Sequence, residues 1–346
     1  MKTVSAVVTA PYHIDFIEEE LPELGPHDIL IRTDAVGLCH TDLPVFGYQQ
    51  SFGISAHGYR ENQVITGPRK LGHEPVGTVA AVGSAVTRFS VGDHVAGNYP
   101  EAFTTFRIVP DNTILVKLPQ MEPDYRYCVV EPMGCVTNIL HYMQQDELHN
   151  VGLIGCGYMN LMMISALKSI GVDRVFAVDI NDQKLELARK FGADILINST
   201  RENLVERVFL ETDGRFLDSV VEMSGSLKGL QSACSIIKFA KENGLPTGEY
   251  NGRGRIIITS VYSNEEVFPK ELGYELVLRC PILDAAHPMS GVSVLENDAL
   301  AVRMFTEGSI PMDKMISHTV PFSRLQEGLM WLKQPPKDYI KGVVLF

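Results

Sequence analysis

Three short stretches in the first 132 positions carry side chains able to hold a metal ion: GLCHTD at 37–42, GHE at 72–74 and EP at 131–132. They supply Cys39, His73, Glu74 and Glu131. Thiolate, imidazole and carboxylate are the groups that bind Zn²⁺ tetrahedrally, and a catalytic site keeps one position open or labile. Taken singly, each residue has an ordinary reading. A lone Cys is commonly a small core residue, a lone His a satisfied polar one, and Glu74 a solvated acid. The order Cys…His-Glu…Glu-Pro ahead of a glycine turn is far more restrictive than any one of them.

That glycine turn is the second stretch with chemistry in it. VGLIGCGYMNLMM, residues 151–163, reads as a strand running into a turn and then an apolar helix. Gly155 permits the tight turn, and Gly157 lets the backbone approach a pyrophosphate at the helix N-terminus. The third glycine of the G-x-G-x-x-G pattern is replaced by Asn160. Because that position serves helix–strand packing, the substitution is expected to alter packing more than phosphate contact. Asp179 ends the next strand, 24 positions after Gly155. An acid there hydrogen-bonds the ribose hydroxyls and repels a 2′-phosphate, which favours NAD over NADP. Its other reading, the N-cap of the following helix, does not exclude the first.

The elements needed to position these residues are legible in outline. VSAVVTA, DILIRTDAVGL, EPVGTVAAVG and DHVAG are β-branched runs separated by Gly, Pro and Asp turns. From about residue 138, strand and helix alternate through VGLIGCG, LMMISALKSIG, RVFAVDI, NDQKLELARKFG, DILINS, ENLVERVFLET, DSVVEMSG and GRIIITSV. Such alternation indicates a parallel sheet with crossover helices. After about 282 a helical LENDALAVRMFTEGSI precedes a closing strand, IKGVVLF. The expectation is an α/β chain in which a β-rich domain, 1–137 and 282–346, is interrupted by a doubly wound domain, 138–281.

Composition narrows the class. With 346 residues and 45% apolar content, the chain can bury a sizeable core. A net charge of −12 argues against nucleic acid or an anionic membrane as the main partner. No apolar run approaches the roughly 20 residues that span a bilayer, and the opening residues lack a cleavage-site pattern, so a cytoplasmic location is expected. Six scattered cysteines without framework spacing read as reduced thiols.

GLCHTD, GHEPVGTVAAVG, FSVGDHVAG, VVEPMG, GCGYMN and VDINDQKLELARKFGAD together resemble the zinc-dependent medium-chain alcohol and polyol dehydrogenases, over essentially the full chain. The resemblance implies a GroES-like catalytic domain and a Rossmann domain. It also implies Cys39 and His73 as zinc ligands, Glu74 as ligand or close neighbour, and Glu131 at the next ligand position, as in the sorbitol- and threonine-dehydrogenase branch. Cys135 is the alternative there. Thr41 matches the family's hydroxyl relay residue, Asp42 would support the metal site, and His40 matches a position that often faces the cofactor pyrophosphate. A homodimer or homotetramer paired near VLRCPILDA is implied as well.

Three departures from the family pattern stand out. VAGNYPEAFTTFRIV has no cysteine where many relatives carry a four-cysteine lobe, so a single catalytic zinc and no structural zinc are expected. Cys39 and His73 lie 34 positions apart, longer than the family's usual separation. The extra residues within 44–67 form either a binding loop or a solvated insertion. Pro44 stands where relatives carry a proton-passing His, leaving His57 or a water chain for that task. A Zn²⁺ in this set would act as a Lewis acid, lowering the pKa of an alcohol as it lowers that of water to about 7, and NAD would take the hydride. The substrate expected is a secondary alcohol, a polyol or other polar small molecule; Tyr59, Arg60 and Asn62 motivate the polarity. The alternatives are a zinc-free quinone or enone reductase on the same fold, and a catalytically silent NAD-binding protein.

Overall fold

A computed structural model of the chain describes every residue except 49, 55–59, 65–66, 121–123, 144–147, 242–243, 245–247, 261, 263–266, 268–269 and 287–292; for 50–54 and 60–64 it describes the backbone alone. Two compact units emerge, Met1–Pro132 with Met312–Phe346, and Met133–Pro311.

The first unit begins with strands β1 (Lys2–Ala10), β2 (His13–Glu20) and β3 (Asp28–Gly37), then a short helix α1 (Leu43–Phe46). Strands β4 (Gln50–Ile54), β5 (Arg60–Val64), β6 (Arg69–Lys70), β7 (Pro75–Val82), β8 (His94–Gly97), β9 (Phe106–Pro110) and β10 (Leu115–Leu118) follow. The insertion between Cys39 and His73 is therefore not a structureless loop. β4 and β5 pair antiparallel from Gln50↔Val64 to Ile54↔Arg60. His57 and Tyr59 lie outside the described residues, as do the side chains of Arg60 and Asn62.

Helix α2 (Val130–Met143) carries the chain into the second unit. There β11 (Asn150–Ile154), α3 (Tyr158–Ser169), β12 (Arg174–Asp179), α4 (Asp182–Lys190), β13 (Ile195–Asn198), α5 (Leu204–Glu211), β14 (Ser219–Glu222), α6 (Leu227–Ile236), β15 (Arg255–Ile258), α7 (Lys270–Arg279), β16 (Ile282–Ala285) and α8 (Val294–Thr306) alternate as expected. The six strands are parallel in the order β13-β12-β11-β14-β15-β16. β11 is buried along its whole length. That is why it reads as a continuous apolar run rather than an alternating one.

The boundary at 282 is corrected by this sheet. β16 pairs with β15 from Arg255↔Ile282 to Ile258↔Ala285, so the expected return point instead extends the parallel sheet. α8 also belongs here, because Thr137 Oγ1 donates to the Asn297 carbonyl at 2.8 Å and Asn297 Nδ2 donates to Asn138 Oδ1 at 3.1 Å. The same bonds draw residues 133–137 into the second unit. The return comes at Met312, through α9 (Met312–Met315), β17 (Ile316–Pro321), α10 (Leu325–Lys333) and β18 (Lys341–Leu345).

β18 then completes the first unit's main sheet, ordered β10-β8-β7-β3-β18-β17 with β9 also on β3. Its antiparallel pairing with β3, Val343↔Gly37 to Leu345↔Ala35, sets the last residues of the chain beside the strand that leads into Cys39. Ile29, Ile31, Val36, Leu38, Phe46, Phe103 and Val344 form the heart of this unit's core. Among the described residues, no helix is long and apolar enough to cross a membrane.

Candidate metal centre and dinucleotide turn

β3 ends at Gly37, and the chain turns through a single 3₁₀ turn, His40–Asp42, immediately after Cys39. Gly37 N–H donates to the Glu74 carbonyl at 3.0 Å, which brings the GHE segment alongside. A Cβ at Gly37 would stand 1.9 Å from Glu74 Oε2, so only glycine leaves room for that carboxylate. The result is a cluster in which ligand atoms of Cys39, His73 and Glu74 all lie within 4.8 Å of one another.

The neighbours of this cluster fix its geometry. Thr41 Oγ1 donates to Cys39 Sγ at 3.2 Å and stands 3.3 Å from His73 Nε2. On the other side of the ring, His73 Nδ1 is 3.5 Å from Oδ1 of the buried Asp42, which also accepts from Gly72 N–H at 3.1 Å. An acid on Nδ1 holds the imidazole so that Nε2 faces the Thr41 hydroxyl, the orientation expected when an acid supports a metal-binding histidine. Burial opposes the ring's charge, but Asp42, the Cys39 sulfur and Glu74 outweigh it and raise the His73 pKa to about 11. Capturing a metal would therefore displace a proton from this ring.

Lys341 is the residue that reading of the sequence missed. Its Nζ donates to Glu74 Oε1 at 2.9 Å and to the Leu38 carbonyl at 2.9 Å, and lies 2.6 Å from Glu74 Oε2. Both partners are almost fully buried, at 5% and 1% exposure, so this is an ion pair sealed from water. Burial works against the ammonium, yet Glu74 and Cys39 hold its pKa above the ordinary lysine value. The available signal was one cationic residue at the head of an otherwise apolar closing strand, IKGVVLF.

Glu131, on the first turn of α2, is half-buried and lies outside the group of three mutually close ligands. Burial first, and the Glu74 carboxylate second, push its pKa up to about 7 against the pull of His73 and Lys341. Cys135 belongs to the second unit and is half-buried there. His40 is exposed. A zinc ion fits the residues present on two counts. The donor set is sulfur, nitrogen and oxygen at mutual distances one ion can bridge. In addition, the buried Asp42 Oδ2 behind His73 accepts no hydrogen bond, and buried polar atoms left in that state are uncommon.

In the second unit, β11 runs into Gly155 at φ +84°, and Gly157 is the N-cap of α3. A Cβ at Gly157 would meet nothing within 4 Å, so the space before the helix N-terminus is open. Asn160 is wholly buried, and its side-chain amide donates to the carbonyls of Ile154 (3.1 Å) and Gly155, the latter a short contact. The residue in place of the third glycine therefore fastens the turn to the end of β11. Asp179 Oδ2 accepts from Cys156 N–H at 2.7 Å and its Oδ1 from Asn181 N–H at 2.9 Å. The N-cap of α4 is Asn181, whose Oδ1 accepts from Gln183 and Lys184, so Asp179 has no capping task.

Comparison with known proteins follows the same division. Residues 25–119 match the alcohol dehydrogenase GroES-like domain, and residues 159–241 match the zinc-binding dehydrogenase domain. The chain belongs to the zinc-binding dehydrogenase family. It is 28% identical over 269 residues to L-threonine 3-dehydrogenase of Caldanaerobacter subterraneus, a match covering 68% of this chain and 74% of that protein. Against the Symbiobacterium thermophilum enzyme of the same name, identity is 31% over 240 residues, covering 60% and 64%. Among solved structures, 2R,3R-butanediol dehydrogenase from Bacillus subtilis shares the fold with a TM-score of 0.80 over 99% of both chains, at 20% identity. The zinc-binding dehydrogenase family places the chain among oxidoreductases of the alcohol/polyol dehydrogenase type.

Proposed function

We propose that the chain is a zinc- and NAD-dependent dehydrogenase of a polar secondary alcohol, with one catalytic zinc per subunit. The observation that carries the reading is the convergence of Cys39, His73 and Glu74 within 4.8 Å, with the Thr41 hydroxyl against two of them. Cys39 and His73 would hold the ion, with Glu74 and Glu131 as the remaining carboxylate ligands or close neighbours. When bound, zinc supplies the Lewis acidity that lets an alcohol release its proton near neutral pH. NAD, when bound, accepts the hydride.

The chain's own residues do the positioning. Asp42 orients His73 through Nδ1. Thr41 Oγ1, beside the Sγ and Nε2 positions, takes the alcohol's proton and hands its own onward; because Pro44 offers no acceptor, the next carrier is His57 or a water chain. Asp179 accepts the ribose hydroxyls and disfavours a 2′-phosphate, and Gly155 and Gly157 admit the pyrophosphate to the N-terminus of α3; His40 matches the family position that often faces the cofactor pyrophosphate. The two relatives' names denote substrates with a secondary hydroxyl beside a second polar group, which supports a polyol or amino alcohol here. Among the described residues β16 pairs on one side only, and it exposes Leu283, which supports a homodimer or homotetramer formed through that edge.

The test is a panel of secondary alcohols, polyols and amino alcohols with NAD and with NADP, read by absorbance of the reduced nicotinamide and paired with metal analysis. Reduction that requires NAD and is lost on chelation is the expected result. Less than one tightly held metal per subunit, with activity surviving chelation, would overturn the zinc reading in favour of an enone reductase. Cofactor binding without oxidation of any panel member would favour a silent binding protein.

A further inference from the structure

The strand order places β12 on one side of β11 and β14 on the other, so the crevice at the reversal of strand order opens at the carboxyl ends of β11 and β14. With Asp179 at the end of β12 facing the adenosine half, the second nucleotide of a bound dinucleotide falls toward β14 and β15. A fully buried acid, Glu222, occupies the last position of β14 there. A valine or isoleucine would fill this position at lower cost, since burying a carboxylate is expensive unless its oxygens are satisfied.

Glu222 is satisfied by residues that shape the crevice. Oε1 accepts from Ser224 N–H at 2.8 Å and from the Ser224 hydroxyl in a short contact, while Oε2 accepts from the Tyr262 hydroxyl at 2.6 Å. The Glu222 carbonyl accepts from Thr259 Oγ1 at 3.1 Å, and Gly225 N–H donates to Ser260 Oγ at 2.9 Å. The segment after β14 is thus tied both to the strand it leaves and to the segment after β15. It also abuts the glycine turn, since a Cβ at Gly155 would stand 3.0 Å from Ser224 Cα. Helix α6 closes the remaining side. A Cβ at Gly229 would lie 1.9 Å from Ser224 Oγ and 2.7 Å from Glu222 Oε1.

We propose that Glu222 is a positioning residue for the nicotinamide half of the cofactor, holding Ser224 and Tyr262 as the wall of the crevice opposite Asp179. The inference rests on the reading that the second unit binds a dinucleotide. The measurement compares affinity for NADH, by fluorescence, with affinity for ADP-ribose, which lacks the nicotinamide, by calorimetry, in full-length Glu222→Gln, Ser224→Ala and Tyr262→Phe. Each variant is expected to weaken NADH by about tenfold, the order set by one hydrogen bond to a charged group, and to leave ADP-ribose within about twofold. Equal losses for both ligands would overturn the proposal, because the cluster would then hold the turn as a whole. Unchanged NADH affinity would overturn it as well. Failure of the unaltered protein to bind either ligand would remove the dinucleotide reading itself, and the proposal with it. If Glu222→Gln does not fold, Tyr262→Phe, which removes one hydroxyl, still decides the question.

Discussion

The candidate metal centre and the candidate dinucleotide turn are built by opposite means. The first is assembled from side chains far apart in sequence, the Lys341–Glu74 pair being 267 positions apart. The second is mostly backbone from one contiguous segment, 154–160, closed by one acid, Asp179, from the neighbouring strand. The contrast teaches where each site is vulnerable. A site of converging buried charges fails when one partner is removed, because the others are left without compensation. A backbone site tolerates side-chain change until the brace that holds its turn is lost.

The largest expected effect follows from the buried pair. Lys341→Met should cost about 3–5 kcal/mol of unfolding free energy, because it strands the Glu74 carboxylate in the core. Adding Glu74→Gln should recover most of that loss, and chemical denaturation of the single and double variants measures both. A single variant destabilised by under about 1 kcal/mol would show that the pair is solvated in solution.

Next in size is the support of His73. Asp42→Asn should lower zinc affinity by roughly 10- to 100-fold, the usual consequence of losing the acid behind a metal-binding imidazole. In the unaltered protein, apparent zinc affinity should rise with pH, since the ring must give up its proton. Competition with a chromogenic chelator reads both, and a pH-independent affinity would contradict the displaced proton.

On the backbone side, Asn160→Gly restores the third glycine of the pattern but removes two hydrogen bonds to the turn. A loss of about 1–2 kcal/mol is expected, with weaker NADH binding. Unchanged stability and affinity would mean that the amide is a passenger and the two sites are less different than their construction suggests.

The smallest effect is electrostatic. Glu131 has its pKa raised from 4.5 to about 7 in the fold, so the native state holds a proton that the unfolded chain releases. Its contribution to stability is full below about pH 4.5 and is lost as pH rises through about 7. In metal-free protein, Glu131→Gln should flatten the decline across that window. Thermal melts from pH 4 to 8 in chelator would show it, and parallel profiles for the two proteins would remove Glu131 from the account.

Much of this was legible in the sequence because the signals are local. A β-branched run between turns, a glycine turn between strand and helix, and an acid at the end of the next strand each depend on neighbours within a few positions. The domain return at 282 misled for the same reason. ILDA reads as a strand, but whether it closes one sheet or extends another depends on a partner strand, β15, that local pattern does not name.

By itself, the sequence determined which chemical groups the protein owns and the order in which it meets them: thiolate, imidazole and carboxylates, then a glycine turn and an acid. It determined the fold class as well, since periodicity dictates which segments can be strands or helices. Only the tertiary structure decided that Lys341 neutralises Glu74, that Gly37 must be bare to admit it, that Asn160 braces the turn it seemed to damage, and that Glu222 is surrounded by donors. Those pairings depend on strand register across long separations, and no rule of local spacing encodes which distant backbone a buried charge will meet.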